Sequence, residues 1–140
     1  MPLDLSPLVS AAAALDRALR VVADEAQWTA LSTAVQEAVS AGVIQNFEVA
    51  YEQSWKMVKR WLESNAGPVD VDGVSRRHLF RMAAEAGLIE DVEAWMKFHL
   101  ARNETSHTYN CEKAKAVVEM APLFLKACHG LLNMLEARND

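Results

Sequence analysis

Residues 29–64 read TALSTAVQEAVSAGVIQNFEVAYEQSWKMVKRWLES. Val35, Val39, Ile44, Phe47, Tyr51, Trp55, Val58 and Leu62 recur there at steps of three to five. That is the spacing of one helix face, not the two-residue alternation of a half-buried strand. The pattern predicts one long helix over residues 29–64. Gly42 falls inside it and could bend it, because glycine costs about 1 kcal/mol relative to alanine in a helix. So long an apolar stripe needs partner helices, and the flanking sequence supplies them.

Ser6-Pro7 starts a first helix, with serine as N-cap and proline at the first helical position. Leu8, Leu15, Leu19 and Val22 carry its stripe to about Ala23. Asn65-Ala66-Gly67-Pro68 ends the long helix, since glycine takes a left-handed end position and proline cannot continue. Residues 69–73 read as a polar loop, and Ser75 caps a short helix ending at Gly87. A further helix over residues 92–102 presents Val92, Trp95, Met96 and Leu100. Asn110 caps the last helix, whose apolar positions include Val117, Val118, Leu123, Leu125, Leu131, Leu132 and Leu135. Pro122 inside it removes one hydrogen bond and is expected to kink it near residues 118–120. Short connections between long amphipathic helices favour antiparallel neighbours. The expected fold is therefore all-α, an up-and-down antiparallel bundle of four or five helices forming one domain over residues 1–140.

Apolar residues make up 51% of the 140 and charged residues 24%, which suits a globular chain and not a disordered one. The net charge of −5 argues against nucleic-acid binding through overall charge, and DNA is not an expected partner. A local basic site is compatible with it, because the field in a cleft depends on nearby charges. Cys111 and Cys128 lack the close spacing of a zinc or redox motif and fit a reducing compartment. Neither a signal peptide in Met1-Pro2-Leu3-Asp4 nor an apolar run of about 20 residues is evident. No membrane association and a cytoplasmic location are the expectations.

Chemistry concentrates in residues 102–109, RNETSHTY. Arg102 brings a planar fork of donors suited to phosphate, and His107 moves a proton at cellular pH. On an uninterrupted helix the two would lie about 140° apart. The intervening Asn, Thr and Ser compete for backbone hydrogen bonds and permit a break that lets them converge. The plainer reading is a cap, with Arg102 against a helix C-terminus and His107 and Asn110 opening the next helix. If the site cleaves RNA, His107 serves as general base or acid and Arg102 stabilises the phosphorane-like transition state. One histidine does not readily serve both proton transfers, so the chemistry predicts a two-fold homodimer that joins two motifs.

Elsewhere, Glu48, Glu52 and Lys56 follow one another at four-residue steps. They form either an exposed stripe with a Glu52–Lys56 pair or, in part, a support in which Glu48 orients Arg102 or His107 from a neighbouring helix. Arg76, Arg77, His78 and Arg81 read as a solvated face, or as a surface for phosphate or an acidic partner. His78, His99 and His129 read as surface or core residues, with no metal-ligand spacing and no metal or other cofactor expected. Trp28, Trp55, Trp61 and Trp95 are expected in the core or at an interface.

Residues 44–56, IQNFEVAYEQSWK, resemble the signature of the bacterial nucleotidyltransferase substrate-binding proteins of the HEPN superfamily. Ala86-Gly87-Leu88-Ile89 and residues 102–109 fit in the same order, and the resemblance covers nearly the whole chain. It implies a four- or five-helix bundle that forms homodimers and assembles with a separately encoded minimal nucleotidyltransferase. In related toxins an Arg-x4-to-6-His motif is the ribonuclease site, commonly with a polar residue after the arginine, which Arg102, Asn103 and His107 match. Asn103 is then a positioning donor. In some toxin–antitoxin pairs the transferase adenylylates the tyrosine of Arg-x4-His-x-Tyr, the position of Tyr109 here, placing a bulky anion where RNA phosphate must bind. The combined expectation is a metal-independent endoribonuclease toxin silenced by adenylylation. The alternative is a non-catalytic adaptor that presents a nucleotide or other substrate to the transferase.

Overall fold

The computed structural model describes residues 2–105 and 111–139. Its helices are α1 (Ser6–Ala23), α2 (Glu25–Ala30), α3 (Thr33–Ala66), α4 (Pro68–Val71), α5 (Arg76–Glu85), α6 (Val92–Thr105) and α7 (Cys111–Ala137). No strand occurs among the described residues, so the fold is the all-α bundle that the periodicity implies. The sequence His107-Thr108-Tyr109-Asn110 lies outside the described residues, and with it the expected Asn110 cap.

Local chemistry sets several boundaries differently from the apolar pattern. At the first helix the cap is not Ser6: Leu5 holds that position, and the Asp4 carboxylate accepts from the Ser6 N–H at 3.0 Å and its hydroxyl at 2.5 Å. The helix expected over residues 29–64 is divided at its start. Asp24 caps α2 by accepting from Gln27 N at 3.1 Å. Leu31 and Ser32 are then extended, and Ser32 Oγ accepts from Val35 N at 3.3 Å to open α3. Two orphan donors are thus met by short side-chain acceptors, which is why the chain breaks among otherwise good helix formers. Gly42 does not interrupt α3.

Gly67, with φ 101°, ends α3 in a backbone region closed to most side chains. Pro68 at once starts α4, so the expected polar loop contains a helical turn whose Val71 is buried. Ser75 caps α5 by accepting from His78 N. Gly87, φ 80°, is crossed by Arg138, which donates to the Ala86 carbonyl; a Cβ there would meet its guanidinium at 2.9 Å. Helix α6 passes the expected stop at Arg102 and continues to Thr105, whose hydroxyl donates to the Arg102 carbonyl at 2.9 Å.

Helix α3 is the axis of the bundle, packed against α1, α4, α5, α6 and α7. Its core begins only at Val43, and Val35 is 45% exposed, so the first turns stand clear of the interior. On α7 the buried set includes Val117, Ala121, Phe124, Cys128, Leu131 and Leu135, alternating steps of four and three. That rhythm selects Phe124 and leaves Leu123 60% exposed, against expectation. Pro122 lies within α7, which remains one element. Phe124 meets Phe47 edge-on at 5.0 Å, Phe98 at 5.2 Å and Trp95 at 5.8 Å, joining α3, α6 and α7. This aromatic contact fixes α6 against α3, and the candidate site lies along that seam. No described helix is long and apolar enough to cross a membrane.

Candidate functional site

Helix α6 turns Trp95 and Phe98 into the core. Residues three and four positions onward share that side, which directs His99 and Arg102 along the flank facing α3. On α3 the same spacing aligns Glu48, Tyr51, Glu52 and Trp55. The two helices therefore bring a cation, two carboxylates, a phenol and an imidazole to one seam.

Arg102 Nη1 lies 3.2 Å from Glu48 Oε2, and its Nε lies 3.5 Å from Glu52 Oε1. Both contacts are ion pairs without hydrogen-bond geometry, and the buried Nε has no hydrogen-bond partner among the described residues. The arginine side chain is 25% exposed, and those of Glu48 and Glu52 are 26% and 32% exposed. Such accessible charges are partly screened, so the pairs serve to orient the guanidinium more than to stabilise the fold. Glu52 is also held by Trp55, whose Nε1 donates to Oε2 at 3.0 Å. Its ion-pair partner is thus Arg102 across the seam, not Lys56 one turn away. Lys56 instead sits 5.9 Å from the Trp55 ring centre.

Arg76 stacks on the same indole, its guanidinium carbon 3.4 Å from the ring centre. It leaves the expected solvated basic face, while Arg77 pairs with Glu93 and Arg81 is exposed. The negative face of the indole explains this position for a half-buried cation, whose pKa burial pulls down from its ordinary value. Trp95 is buried, Trp55 and Trp61 are packed against the core, and Trp28 is half-buried.

Tyr51 is buried beneath these charges, its hydroxyl 2.8 Å from His99 Nδ1. The other ring nitrogen, Nε2, lies 3.3 Å from Asn103 Nδ2. Burial drives the Tyr51 pKa far above that of an ordinary phenol, so the hydroxyl keeps its proton. Burial first, then the charge of Arg76, lower the His99 pKa, against an opposing pull from Glu52. His99 is therefore a neutral, polar member of the site, which its position in the sequence did not mark out. The signal available was its spacing from Arg102 and Asn103 on one helix.

Gln45, Glu48, Val49, Glu52, Gln53 and Arg102 line an open cleft of about 340 Å³. Of the residues expected to act, Arg102 and Glu48 meet at this cleft, and Asn103 follows on the same helix. His107 and Tyr109 lie outside the described residues. The cleft offers hydrogen-bonding amides, carboxylates and one guanidinium around an exposed valine.

The family described as nucleotidyltransferase substrate binding protein like matches residues 3–137. The chain belongs to this family. It is also 36% identical over 139 residues to a Haemophilus influenzae protein named probable ribonuclease HepT, covering 99% of this chain and 95% of that one. A solved Haemophilus influenzae structure, described as revealing the fold of a substrate binding domain of a nucleotidyltransferase, superimposes with a TM-score of 0.90. Its sequence is 36% identical, with 95% of this chain and 99% of that chain covered. A Thermus thermophilus structure shares 26% identity at a TM-score of 0.64, covering 86% of this chain and 98% of that one. The seam joins residues 44–56 to Arg102, so segments that carry the family resemblance also build the cleft.

Proposed function

We propose that this protein is a HEPN-type, metal-independent endoribonuclease of the toxin class that works with a separately encoded minimal nucleotidyltransferase. The carrying observation is Arg102 held at the rim of an open cleft by Glu48 and Glu52, with Asn103 beside it. Similarity to a protein named probable ribonuclease HepT supports the same reading. In the reaction, a ribose 2′-oxygen attacks the adjacent phosphorus and the bond to the 5′-oxygen breaks. The products are a 2′,3′-cyclic phosphate and a 5′-hydroxyl end. His107 takes the 2′ proton or returns one to the leaving oxygen, Arg102 meets the charge gathering on phosphorus, and Asn103 donates to a phosphate oxygen. Because Glu48 and Glu52 occupy one flank of the guanidinium, phosphate approaches its other side. The second proton transfer belongs to His107 of a second copy, so the active form is a homodimer. Tyr109 accepts AMP from the transferase, and the added anion blocks the phosphate position.

The test is incubation of the purified protein with single-stranded RNA in EDTA, beside His107→Ala and Arg102→Ala. Cleavage by the unmodified protein alone is expected. Equal cleavage by all three, or by none, overturns the ribonuclease.

The family description and the solved relative described as a nucleotidyltransferase substrate binding domain favour a second reading. In it the cleft presents a nucleotide to the transferase without turnover. It predicts nucleotide binding that Arg102→Ala weakens, together with no RNA cleavage.

A further inference from the structure

We infer that the Trp55 indole N–H selects the ion-pair partner of Glu52, holding its carboxylate toward Arg102 across the seam and away from Lys56 on the same helix. Trp55 is thereby a positioning residue for the Arg102 guanidinium. Two cations compete for Glu52. Lys56 lies four residues further along α3, with the acid N-terminal to the base, the order that favours pairing on a helix. Arg102 comes from α6, its Nε 3.5 Å from Glu52 Oε1. Helix spacing alone favours the lysine, yet Glu52 is paired with the arginine.

The other carboxylate oxygen accounts for this. Glu52 Oε2 accepts from Trp55 Nε1 at 3.0 Å. An indole nitrogen only donates and a carboxylate oxygen only accepts, so chemistry fixes the direction of this bond. With Oε2 tied to the ring, Oε1 is left to meet a cation, and Oε1 is the oxygen beside Arg102. The ring is itself held. Trp55 packs against the core, and the Arg76 guanidinium carbon lies 3.4 Å from the indole centre, a distance reached only over the face of the ring. Arg76 Nε and Nη1 are buried with no hydrogen-bond partner among the described residues. Leaving such donors unmet is unfavourable, so the stack on Trp55, not a hydrogen bond through these atoms, retains the guanidinium there. Lys56 Nζ lies 5.9 Å from the same ring centre, which makes it the cation placed to take the carboxylate once the indole N–H is gone.

The effect on catalysis rests on the ribonuclease proposed above, whereas the choice of partner is a property of the protein without RNA. Nitrogen-15 NMR of the full chain, labelled at arginine, reads that choice, with the Arg102 Nε–H resonance identified by its loss in Arg102→Lys. Trp55→Phe keeps an aromatic ring and removes the N–H, and it is expected to move this resonance. Adding Lys56→Gln removes the competing cation and is expected to return it toward its original position. Lys56→Gln by itself should leave it unchanged. In RNA cleavage, Trp55→Phe should lower kcat about tenfold with little change in KM, because Glu48 still holds the arginine at one end. Trp55→Phe with Lys56→Gln should recover kcat to within about threefold of the unmodified protein, and Lys56→Gln alone should match it. Removing a lysine does not repair lost ring packing, so the rescue separates positioning from a merely structural role. If Trp55→Phe does not fold, benzothienylalanine in place of Trp55 serves, since it exchanges the N–H for sulfur at nearly the same shape. An Arg102 resonance unmoved by loss of the N–H, or a shift and kcat loss that Lys56→Gln fails to reverse, overturns the selection. Absence of cleavage by the unmodified protein, with the NMR shift and its reversal intact, removes the ribonuclease and leaves the selection standing.

Discussion

Arg102 on α6 and Glu48 on α3 form an ion pair at 3.2 Å that joins the two helices at the mouth of the cleft. The carboxylate does two opposing things. It orients the guanidinium and, under the proposed ribonuclease activity, would repel an arriving phosphate. Glu48→Gln keeps an acceptor but removes the charge. We expect RNA to bind more tightly and kcat to fall about tenfold as the guanidinium loses its fixed orientation. Because both side chains are about one quarter exposed, stability should change by less than about 1 kcal/mol. Steady-state kinetics with a thermal melt separates the two effects, and a rise in KM would contradict the repulsive role.

Replacing the arginine itself probes the chemistry and not the scaffold. Arg102→Ala should lower cleavage about 10²–10³-fold, the cost typical of losing one transition-state donor. Arg102→Lys should recover little of this. An ammonium is a compact point charge and lacks the fork that meets Glu48 and Glu52 on one side and, in the proposed reaction, phosphate on the other. Single-turnover rates at saturating RNA give the comparison. A lysine variant near full activity would show that charge alone suffices.

Caps and apolar spacing made most of the fold legible: Gly67-Pro68 stops α3, Ser75 starts α5, and the all-α class follows from the absence of two-residue alternation. The division of α2 from α3 was not, because Ser32 caps a helix amid Ala30, Leu31 and Ala34, where propensity favours continuation. Leu123 was expected inside, yet the four-three rhythm of α7 gives that place to Phe124. At the site, spacing along one helix suggested a Glu52–Lys56 pair, whereas the seam offers Glu52 an arginine and an indole N–H. Tyr51 and His99 are 48 residues apart, and only the packing of α6 on α3 brings them together. Sequence shows which residues share a helix face. It does not show which faces meet.

That packing depends on Phe124, which is fully buried and touches aromatic rings from α3 and α6. Phe124→Ala removes the ring common to those contacts and leaves a cavity the three helices cannot close. A loss of about 3–5 kcal/mol is expected in urea unfolding. Phe124→Leu should cost far less. Similar losses for both would mean that area burial matters less here than the edge-on ring geometry.

His99 gives the fold a pH dependence whose sign is fixed by its lowered pKa. The folded protein resists protonating this ring, while the unfolded chain binds that proton near the ordinary value of about 6.5. Between the two pKa values the unfolded state therefore holds more protons, so stability rises with pH. The contribution is complete above about 6.5 and is lost as pH falls through that value to the lower folded pKa. Asp4 acts at more acid pH: its carboxylate is held below the ordinary range by the Ser6 hydrogen bonds, and its contribution disappears only as pH falls below 3.8. Urea midpoints measured from about pH 8 to about pH 5 should fall for the unmodified protein and flatten for His99→Gln. Arg76→Gln should raise the His99 pKa by removing a nearby positive charge, moving the onset of protonation in NMR toward neutral pH. Burial remains in that variant, so the ordinary value should not be fully restored; a His99 titration unmoved by Arg76→Gln would remove the arginine from this account.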